Sequence, residues 1–220
     1  MTTLAVTGMT KEAGIIAAAG VVVVVGGGDC AGLAAKLDAL HGDITGVISI
    51  GLGGALSPLL NVADVVIGDK IVTPSQHWDC HAVWRNRLAS LLPQAHQGAV
   101  LGSDVAIAQA SAKTALYEDT GALVVDMESQ VVARFAAKRN LPLAVLRVIS
   151  DDARHVLPPA ALVAMKPDGG ISIANVLWSV MKKPAQIPAL VRTGRASSKA
   201  FAQLLRCRDL CGVGLSGLDL

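Results

Sequence analysis

The stretch LAVLRVISDD, residues 143–152, joins an apolar run to two consecutive acids. Residues 143–149 predict a buried strand, and Asp151 and Asp152 follow that strand directly. Upstream, apolar runs that end in glycines or acids alternate with segments of helical composition. Strands are predicted at residues 4–6, 21–25, 47–50, 62–72, 99–101 and 123–125, and helices at residues 11–19, 30–40, 113–118 and 129–139.

This alternation predicts a three-layer α/β/α fold around a central mixed, largely parallel sheet. The valine run at residues 21–25 is expected to be a strand that is buried on both faces. Asp29 is expected to cap the helix that follows. Residues 73–97 show no clear pattern and are expected to be irregular.

Glycines and acids occupy positions just after strands, or at the start of the segment behind them. They are Glu12, the glycine-rich turn predicted at residues 51–54, Glu128 and Asp151. In α/β sheets, ligands bind outside the carboxyl ends of the strands. We therefore expect these residues to meet at one edge of the sheet.

Composition limits the classes of function. The chain has 220 residues, of which 52% are hydrophobic, and a formal net charge of +2. This length suits one domain with a sizeable core, and the small charge argues against nucleic acid as a partner. The four cysteines (Cys30, Cys80, Cys207 and Cys211) fit no zinc or disulfide spacing, so we expect reduced thiols in a cytoplasmic protein, with no metal and no cofactor.

The apolar residues 13–25 are not expected to be a targeting or membrane segment. They are too short to span a bilayer, which takes about 20 residues, and no basic segment precedes them. They predict the end of a helix followed by a strand of a soluble protein.

The C-terminal part has a different composition. Pro158-Pro159 predicts a boundary between a catalytic domain, residues 1–157, and a basic amphipathic helical extension, residues 158–220, packed on or next to it. Residues 169–208 contain no acid, and Lys and Arg alternate with apolar side chains. Such a segment either lies on an anionic bilayer, at the inner face of the cytoplasmic membrane, or forms amphipathic helices packed on the sheet.

Three short patterns fall at the predicted edge: GLGGAL at residues 51–56, VVDMES at 124–129 and VISDD at 148–152. Each has a structural explanation. Glycine turns are common after strands, an acid suits the positive N-terminus of a helix, and Ser or Asp suits a helix cap. The three in this order are more specific than any one of them.

In this order the patterns resemble the nucleoside phosphorylase and nucleosidase superfamily, over about residues 3–155. The resemblance implies a nucleoside phosphorylase-like fold and cleavage of the N-glycosidic bond of a purine nucleoside. It implies that Asp151 protonates the purine at N7, Glu128 holds the ribose hydroxyls and Glu12 takes a proton from water. Further substrate contacts are implied for Gly51, Leu52, Gly53, Gly54, Ala106, Ile107, Asp126, Met127 and Ser150.

The chain departs from the family pattern at three positions. Leu52 stands where the nucleosidases have serine, Asp126 replaces a glutamate, and Ala106 stands at the position of a base-stacking phenylalanine. Asp151 has to hold a proton near neutral pH, which requires a dry setting or a neighbouring negative charge. Asp152 is expected to supply that charge.

The nucleophile is either water or phosphate. Phosphorylases of this superfamily hold phosphate with arginines of the N-terminal half, whereas the first arginine here is Arg85. Lys11 and the backbone N–H groups of Gly26, Gly27 and Gly28 remain as an alternative anion site. The residues favour water.

A closer resemblance, through most of the chain, is to the hopanoid-associated phosphorylases. It rests on GGGD at residues 26–29, VDMES at 125–129, LRVISD at 146–151, LPPAAL at 157–162 and KPAQIP at 183–188. It implies removal of adenine from adenosylhopane, a lipid-linked nucleoside, to give ribosylhopane or its phosphorylated form. The wider superfamily resemblance implies at least a dimer.

Three other functions remain open. The first is a methylthioadenosine/S-adenosylhomocysteine-type nucleosidase or a purine nucleoside phosphorylase acting on a soluble nucleoside. The second is a non-catalytic nucleoside- or lipid-binding protein, and the third is a peripheral membrane adaptor that uses the basic tail.

Overall fold

The computed structural model describes residues 2–18, 20–166 and 168–217. Its strands are β1 (Thr2–Thr7), β2 (Val21–Val25), β3 (Ile44–Ala55), β4 (Val65–Val72), β5 (His77–Asp79), β6 (His96–Gly102), β7 (Val124–Asp126) and β8 (Leu143–Asp151). Its helices are α1 (Thr10–Ile16), α2 (Cys30–Asp38), α3 (Ala82–Leu91), α4 (Ala110–Thr120), α5 (Ser129–Arg139), α6 (Pro159–Leu162), α7 (Ile173–Lys182) and α8 (Ile187–Cys211).

The described strands form one mixed sheet. β1 lies between β2 and β3 and runs parallel to both. β3 pairs with β8, β8 with β4, β4 with β6, β6 with β7, and β7 returns to β3, so these five strands close into a ring. Most pairs are parallel, whereas β4 runs antiparallel to β5 and β8, and β7 to β3. The predicted fold class, a largely parallel mixed sheet flanked by helices, is confirmed.

Helices cover the sheet on two sides. On one side, Leu33 of α2 and Val132 of α5 are buried with residues of β1, β3 and β4. On the other side, Ile16 of α1, Trp84 of α3 and Leu204 of α8 form a second core. Each fully buried large apolar side chain stabilises the fold by about 1.5–3 kcal/mol relative to exposure, so both helical layers are held by the sheet. Asp29 caps α2 as predicted, accepting a hydrogen bond from the Gly32 N–H.

The two C-terminal helices differ in their packing. The second half of α8 crosses β8, and its buried residues Ala200, Leu204, Cys207 and Cys211 recur at helical spacing. α7 has no buried residue. Within the described part of the chain, none of the helices combines the length and the apolar character that crossing a membrane needs.

The glycine turn predicted at residues 51–54 is wrong, because these residues continue β3. Gly51 pairs with Arg147 and Gly53 with Ile149 in the parallel register of β8. The strand stays extended here, and the missing side chains leave room for neighbouring groups to approach its backbone.

Two further predictions are wrong. The valine run of β2 is not buried on both faces: it is an edge strand, and Val22 is 41% exposed. Its β-branched side chains reflect strand propensity rather than burial. Residues 73–97 are not irregular, since they contain β5 and α3, and Trp84 of α3 is fully buried.

Candidate active site

A cavity of about 190 Å³ lies at the carboxyl ends of β1, β3, β7 and β8. Glu12, Glu128 and Asp151 all line it, although they come from three distant parts of the sequence. Of the other predicted substrate contacts, Leu52, Gly53, Gly54, Ala106, Ile107, Asp126, Met127 and Ser150 line it as well. Its small volume suits a small-molecule ligand.

Glu12 lies in the first turn of α1 and is only 2% exposed. Its Oε2 accepts a hydrogen bond from the Met9 N–H at 2.7 Å, and its Oε1 accepts one from the Leu52 N–H at 2.7 Å. Burial raises the pKa of this carboxyl above its usual value, and the two backbone hydrogen bonds oppose that rise. A carboxylate oxygen has two lone pairs, so each oxygen can still accept a proton from a bound water.

Gly51 does not line the cavity but fixes the position of Glu12. A Cβ at residue 51 would lie 2.8 Å from Glu12 Oε1. The contact is closer than a carbon and an oxygen can approach, so the carboxyl group occupies this position because residue 51 has no side chain. Gly51 therefore contributes to the site indirectly, by leaving space for the carboxyl group of Glu12.

Glu128 follows β7 and directly precedes α5, and it is 7% exposed. A Cβ at Gly26 would lie 2.9 Å from Glu128 Cγ, so this side chain too packs against bare glycine backbone. Burial is the main cause that raises the pKa of Glu128 to about 8, and the negative charge of Asp126 is the second cause. The guanidinium of Arg147 acts in the opposite direction.

Asp126 holds Glu128 in place. Its Oδ1 accepts hydrogen bonds from the backbone N–H groups of Glu128 and Ser129, at 2.9 and 2.8 Å. Its Oδ2 accepts one from Arg147 Nε at 2.7 Å. Arg147 is 1% exposed and also donates to Ser49 Oγ at 2.5 Å. Both oxygens of Asp126 are therefore engaged within the protein, although the residue lines the cavity.

Asp151 ends β8 and forms an ion pair with Lys113 of α4, whose side chain is fully buried. The same ammonium group donates to the carbonyl oxygens of Asp152 at 2.9 Å and His155 at 3.2 Å. The Asp152 side chain, which was expected to place a negative charge next to Asp151, accepts a hydrogen bond from the Arg154 N–H. The group next to Asp151 is a cation.

The lining of the cavity is acidic. Glu12, Asp126, Glu128 and Asp151 line it, and the described residues contribute no Lys, Arg or His side chain to the lining. Arg147 and Lys113 lie behind the lining, with their charges engaged by Asp126 and Asp151. Glu12 and Glu128 have no such cationic partner in the described lining, so in their ionised forms they favour a ligand that gains positive charge and repel an anion.

The anion site expected at residues 26–28 is not available at two of its three N–H groups. Gly26 donates to the Thr7 carbonyl at 2.8 Å and Gly27 to the Gly8 carbonyl at 2.9 Å. None of the three glycines lines the cavity, although Gly28 lies near Met127.

Sequence reasoning missed several residues of the site. Lys113 was predicted only as part of a helix, and Met9, Leu157, Met165 and Ser197 line the cavity without a sequence signal. None of the described lining residues is aromatic. Ala106 and Ile107 line the cavity together with Val105, so this part of its wall is aliphatic.

A sequence profile of the phosphorylase superfamily matches residues 2–180. The chain belongs to the phosphorylase superfamily. It is therefore an enzyme of the nucleoside phosphorylase and nucleosidase kind, which confirms the predicted enzyme class. No protein among the curated ones is similar enough to count as a match.

Solved structures share the fold of this superfamily member. A 5′-methylthioadenosine/S-adenosylhomocysteine nucleosidase from S. pneumoniae, bound to a transition-state inhibitor, is 21% identical with a TM-score of 0.61, covering 94% of this chain and 99% of that one. A variant of the Helicobacter pylori enzyme, with 5′-methylthioadenosine in its active site, is 13% identical with a TM-score of 0.61, covering 94% and 98%. A futalosine hydrolase variant from Helicobacter pylori is 16% identical with a TM-score of 0.59, covering 68% and 90%.

Proposed function

We propose that the enzyme hydrolyses the N-glycosidic bond of a 5′-substituted adenine nucleoside. The observation that carries this proposal is the convergence of Glu12, Glu128 and Asp151 on one acidic cavity. The solved nucleosidases with the same fold support an adenine nucleoside as the substrate class.

Each carboxyl group has one role in the proposed reaction. Asp151 passes a proton to N7 of adenine while the bond between N9 and C1′ breaks: its carboxylate receives a proton from the ammonium group of Lys113 and gives one to N7, which leaves Lys113 neutral. Glu128 accepts hydrogen bonds from the ribose hydroxyls, and its charge stabilises the oxocarbenium character of the sugar. Glu12 takes a proton from water as the water oxygen bonds to C1′. The products are adenine and the free 1′-hydroxyl sugar, and solvent restores both proton positions.

Lys113 supports the proposed acid. The proton that reaches adenine comes from the buried ammonium group, which donates to Asp151, and solvent returns a proton to Lys113 after adenine has left. The ammonium group also fixes the carboxyl group in one position, because its two other contacts are backbone carbonyls of residues 152 and 155. A fixed donor is what positioned acid catalysis requires.

Water is the proposed nucleophile because the residues that the structure describes around the cavity offer phosphate no cation. The acids that line it repel an incoming anion, and the N–H groups of Gly26 and Gly27 are already hydrogen-bonded. Neutral water meets neither obstacle, and Glu12 is available to activate it.

The proposed substrate is adenosylhopane, as the resemblance to the hopanoid-associated phosphorylases implies. A cavity of about 190 Å³ leaves no room for a triterpenoid beside the nucleoside, so the hopane would lie outside it. Leu157 and Met165 line the cavity. Leu157 lies just before α6, and Met165 lies between α6 and α7. Exposed apolar side chains continue there, at Leu162 and Val163.

Adenine release from adenosylhopane in detergent, measured with and without phosphate, tests the proposal. We expect equal rates in both buffers, with ribosylhopane as the product. Asp151→Asn and Glu12→Gln are each expected to lower kcat/KM by about 10²- to 10⁴-fold. The matched control is Glu118→Gln, an exposed acid of α4. Rates like those of the unsubstituted protein in both active-site variants, or strictly phosphate-dependent release, would refute it.

A soluble nucleoside is the second candidate substrate, favoured by the 5′-methylthioadenosine bound to a nucleosidase of this fold. Comparison of kcat/KM for 5′-methylthioadenosine and adenosylhopane decides between them. The superfamily resemblance also implies a homo-oligomer, which sedimentation analysis measures directly.

A further inference from the structure

α7 presents an apolar face that the described protein does not cover. Ile173, Leu177, Trp178 and Met181 are 70%, 58%, 58% and 70% exposed. They lie at positions i, i+4, i+5 and i+8, which places them along one side of the helix. These four residues are called the α7 stripe below. A contiguous exposed apolar stripe of this kind is typical of a surface that binds another protein or a membrane.

Cations accompany the α7 stripe. Lys182 is the last residue of α7 and Lys183 follows it, and both are exposed. The first half of α8 adds Arg192, Arg195 and Lys199, which line one groove with Pro188 and Val191. Residues 169–208 contain no acid, so no negative charge on α7 or on the first half of α8 offsets this positive charge.

The arrangement within α7 is that of a helix lying at a membrane surface. The ammonium group of Lys182 lies 4.8 Å from the centre of the Trp178 ring. Tryptophan and lysine occupy the boundary between headgroups and acyl chains, with the ring towards the apolar side. Anionic lipid headgroups attract the clustered cations. Lipid therefore satisfies both the apolar and the charged part of this surface.

We propose that the α7 stripe, with the cations that follow it, docks on an anionic lipid bilayer. A second copy of the chain fits less well, because a symmetric contact through residues 169–208 offers these cations no acidic partner. The face of the second half of α8 that carries Ala200, Leu204, Cys207 and Cys211 is buried and takes no part in the contact. The docking surface is thus narrower than the whole basic segment.

The docking surface borders the cavity. Met165 precedes α7 and Ser197 lies on α8, and both line the cavity. Docking therefore brings part of the cavity rim close to the lipid. The proposal concerns binding alone, so it does not depend on which nucleoside is cleaved.

Co-sedimentation with vesicles tests docking. The full chain is mixed with vesicles of phosphatidylcholine alone, or of phosphatidylcholine and phosphatidylglycerol in equal parts. We expect binding to the mixed vesicles, weakened by salt. Leu177→Ser/Met181→Ser is expected to lower the affinity at least about tenfold, and Lys182→Gln/Lys183→Gln to reduce the preference for phosphatidylglycerol. The matched control is Leu59→Ser, because Leu59 is 77% exposed outside this region.

Tryptophan fluorescence reports the contact itself. Trp178 is 58% exposed, whereas Trp84 is fully buried and Trp78 is partly buried against the core. A blue shift on adding mixed vesicles is therefore expected, and Trp178→Phe is expected to remove most of it. Circular dichroism confirms that the variants are folded. Absent binding to mixed vesicles overturns the proposal, as does unchanged binding by Leu177→Ser/Met181→Ser. Self-association that this variant abolishes, without vesicle binding, identifies a contact between copies instead. Vesicle binding without adenine release refutes only the proposed function.

Discussion

Replacing Lys113 by methionine tests how strongly the buried ion pair supports the protein. The lysine side chain is fully buried and Asp151 is 6% exposed, so the substitution leaves an acid in a dry setting without its partner. Removing one member of a buried pair costs about 3–5 kcal/mol. The Asp152 and His155 carbonyls lose the same donor. For a chain of this size each kcal/mol lowers Tm by about 2–4 °C, so we expect Tm to fall by about 6–20 °C.

Thermal and urea unfolding of four proteins measure this effect: the unsubstituted chain, Lys113→Met, Asp151→Asn and the double variant. Because the double variant leaves neither charge unpaired, its loss of stability is expected to be smaller than the sum of the single losses. Lys138→Met is the matched control, since Lys138 and Asp38 form an ion pair with both side chains largely exposed, and such pairs contribute at most about 1 kcal/mol. If Lys113→Met and Lys138→Met change Tm equally, or if the losses are additive, the reasoning is wrong.

The other predictions concern the two glutamates and their supports. The pKa of Glu128 is raised from 4.5 to about 8 in the folded chain, so the folded state binds the extra proton. Its unfolding free energy is therefore expected to fall as pH rises through this range. Glu128→Gln should flatten Tm against pH between those limits, and an unchanged slope would contradict the assignment. Gly51→Ala places a Cβ at 2.8 Å from Glu12 Oε1, and adenine release is expected to fall by about 10²-fold. The control is Gly14→Ala, because a Cβ at residue 14 would meet no atom within 4 Å. This substitution should leave the rate of adenine release unchanged and raise the free energy of unfolding by about 0.5–1 kcal/mol. Equal effects of the two substitutions on activity would refute the role of Gly51. Arg147→Met removes the buried donor to Asp126, and calorimetry is expected to show a larger fall in Tm than for Arg134→Met, because Arg134 is an exposed residue of α5.

The sequence allowed the acids of the site to be found because the rule that locates them is topological. β1, β3 and β8 run parallel, so Glu12, which follows β1, and Asp151, which ends β8, come to the same edge. Glu128 follows β7, which runs antiparallel to β3, and it joins them because β7 pairs with the carboxyl end of β3 at Gly54. The same rule does not apply to Lys113. A lysine on a helix of low overall hydrophobicity predicts an exposed side chain, and only the closure of β3, β8, β4, β6 and β7 into a ring carries α4 across the end of β8.

Local patterns failed where long-range packing decides the outcome. Glycines at residues 51–54 predict a turn, yet the register with β8 keeps the backbone extended through Gly54. Valines at residues 21–25 predict burial, yet β2 has a neighbour on one side only. In both segments the residue type is compatible with two environments, and the choice depends on strands that lie far away in the sequence.

The acidic cavity connects the stability of the fold with the proposed chemistry. Burial raises the pKa values of Glu12 and Glu128, and each carboxyl's pKa is lowered by the same guanidinium, that of Arg147. An ionised Glu128 therefore costs the folded chain free energy, and near neutral pH the folded chain binds a proton at this carboxyl. A sugar that becomes positive as its bond to adenine breaks favours the ionised carboxylate, so this cost is offset in the transition state. Glu128→Gln is accordingly expected to raise Tm at pH 8 while it lowers kcat/KM. A variant that loses both stability and activity would show that Glu128 supports the fold rather than the reaction.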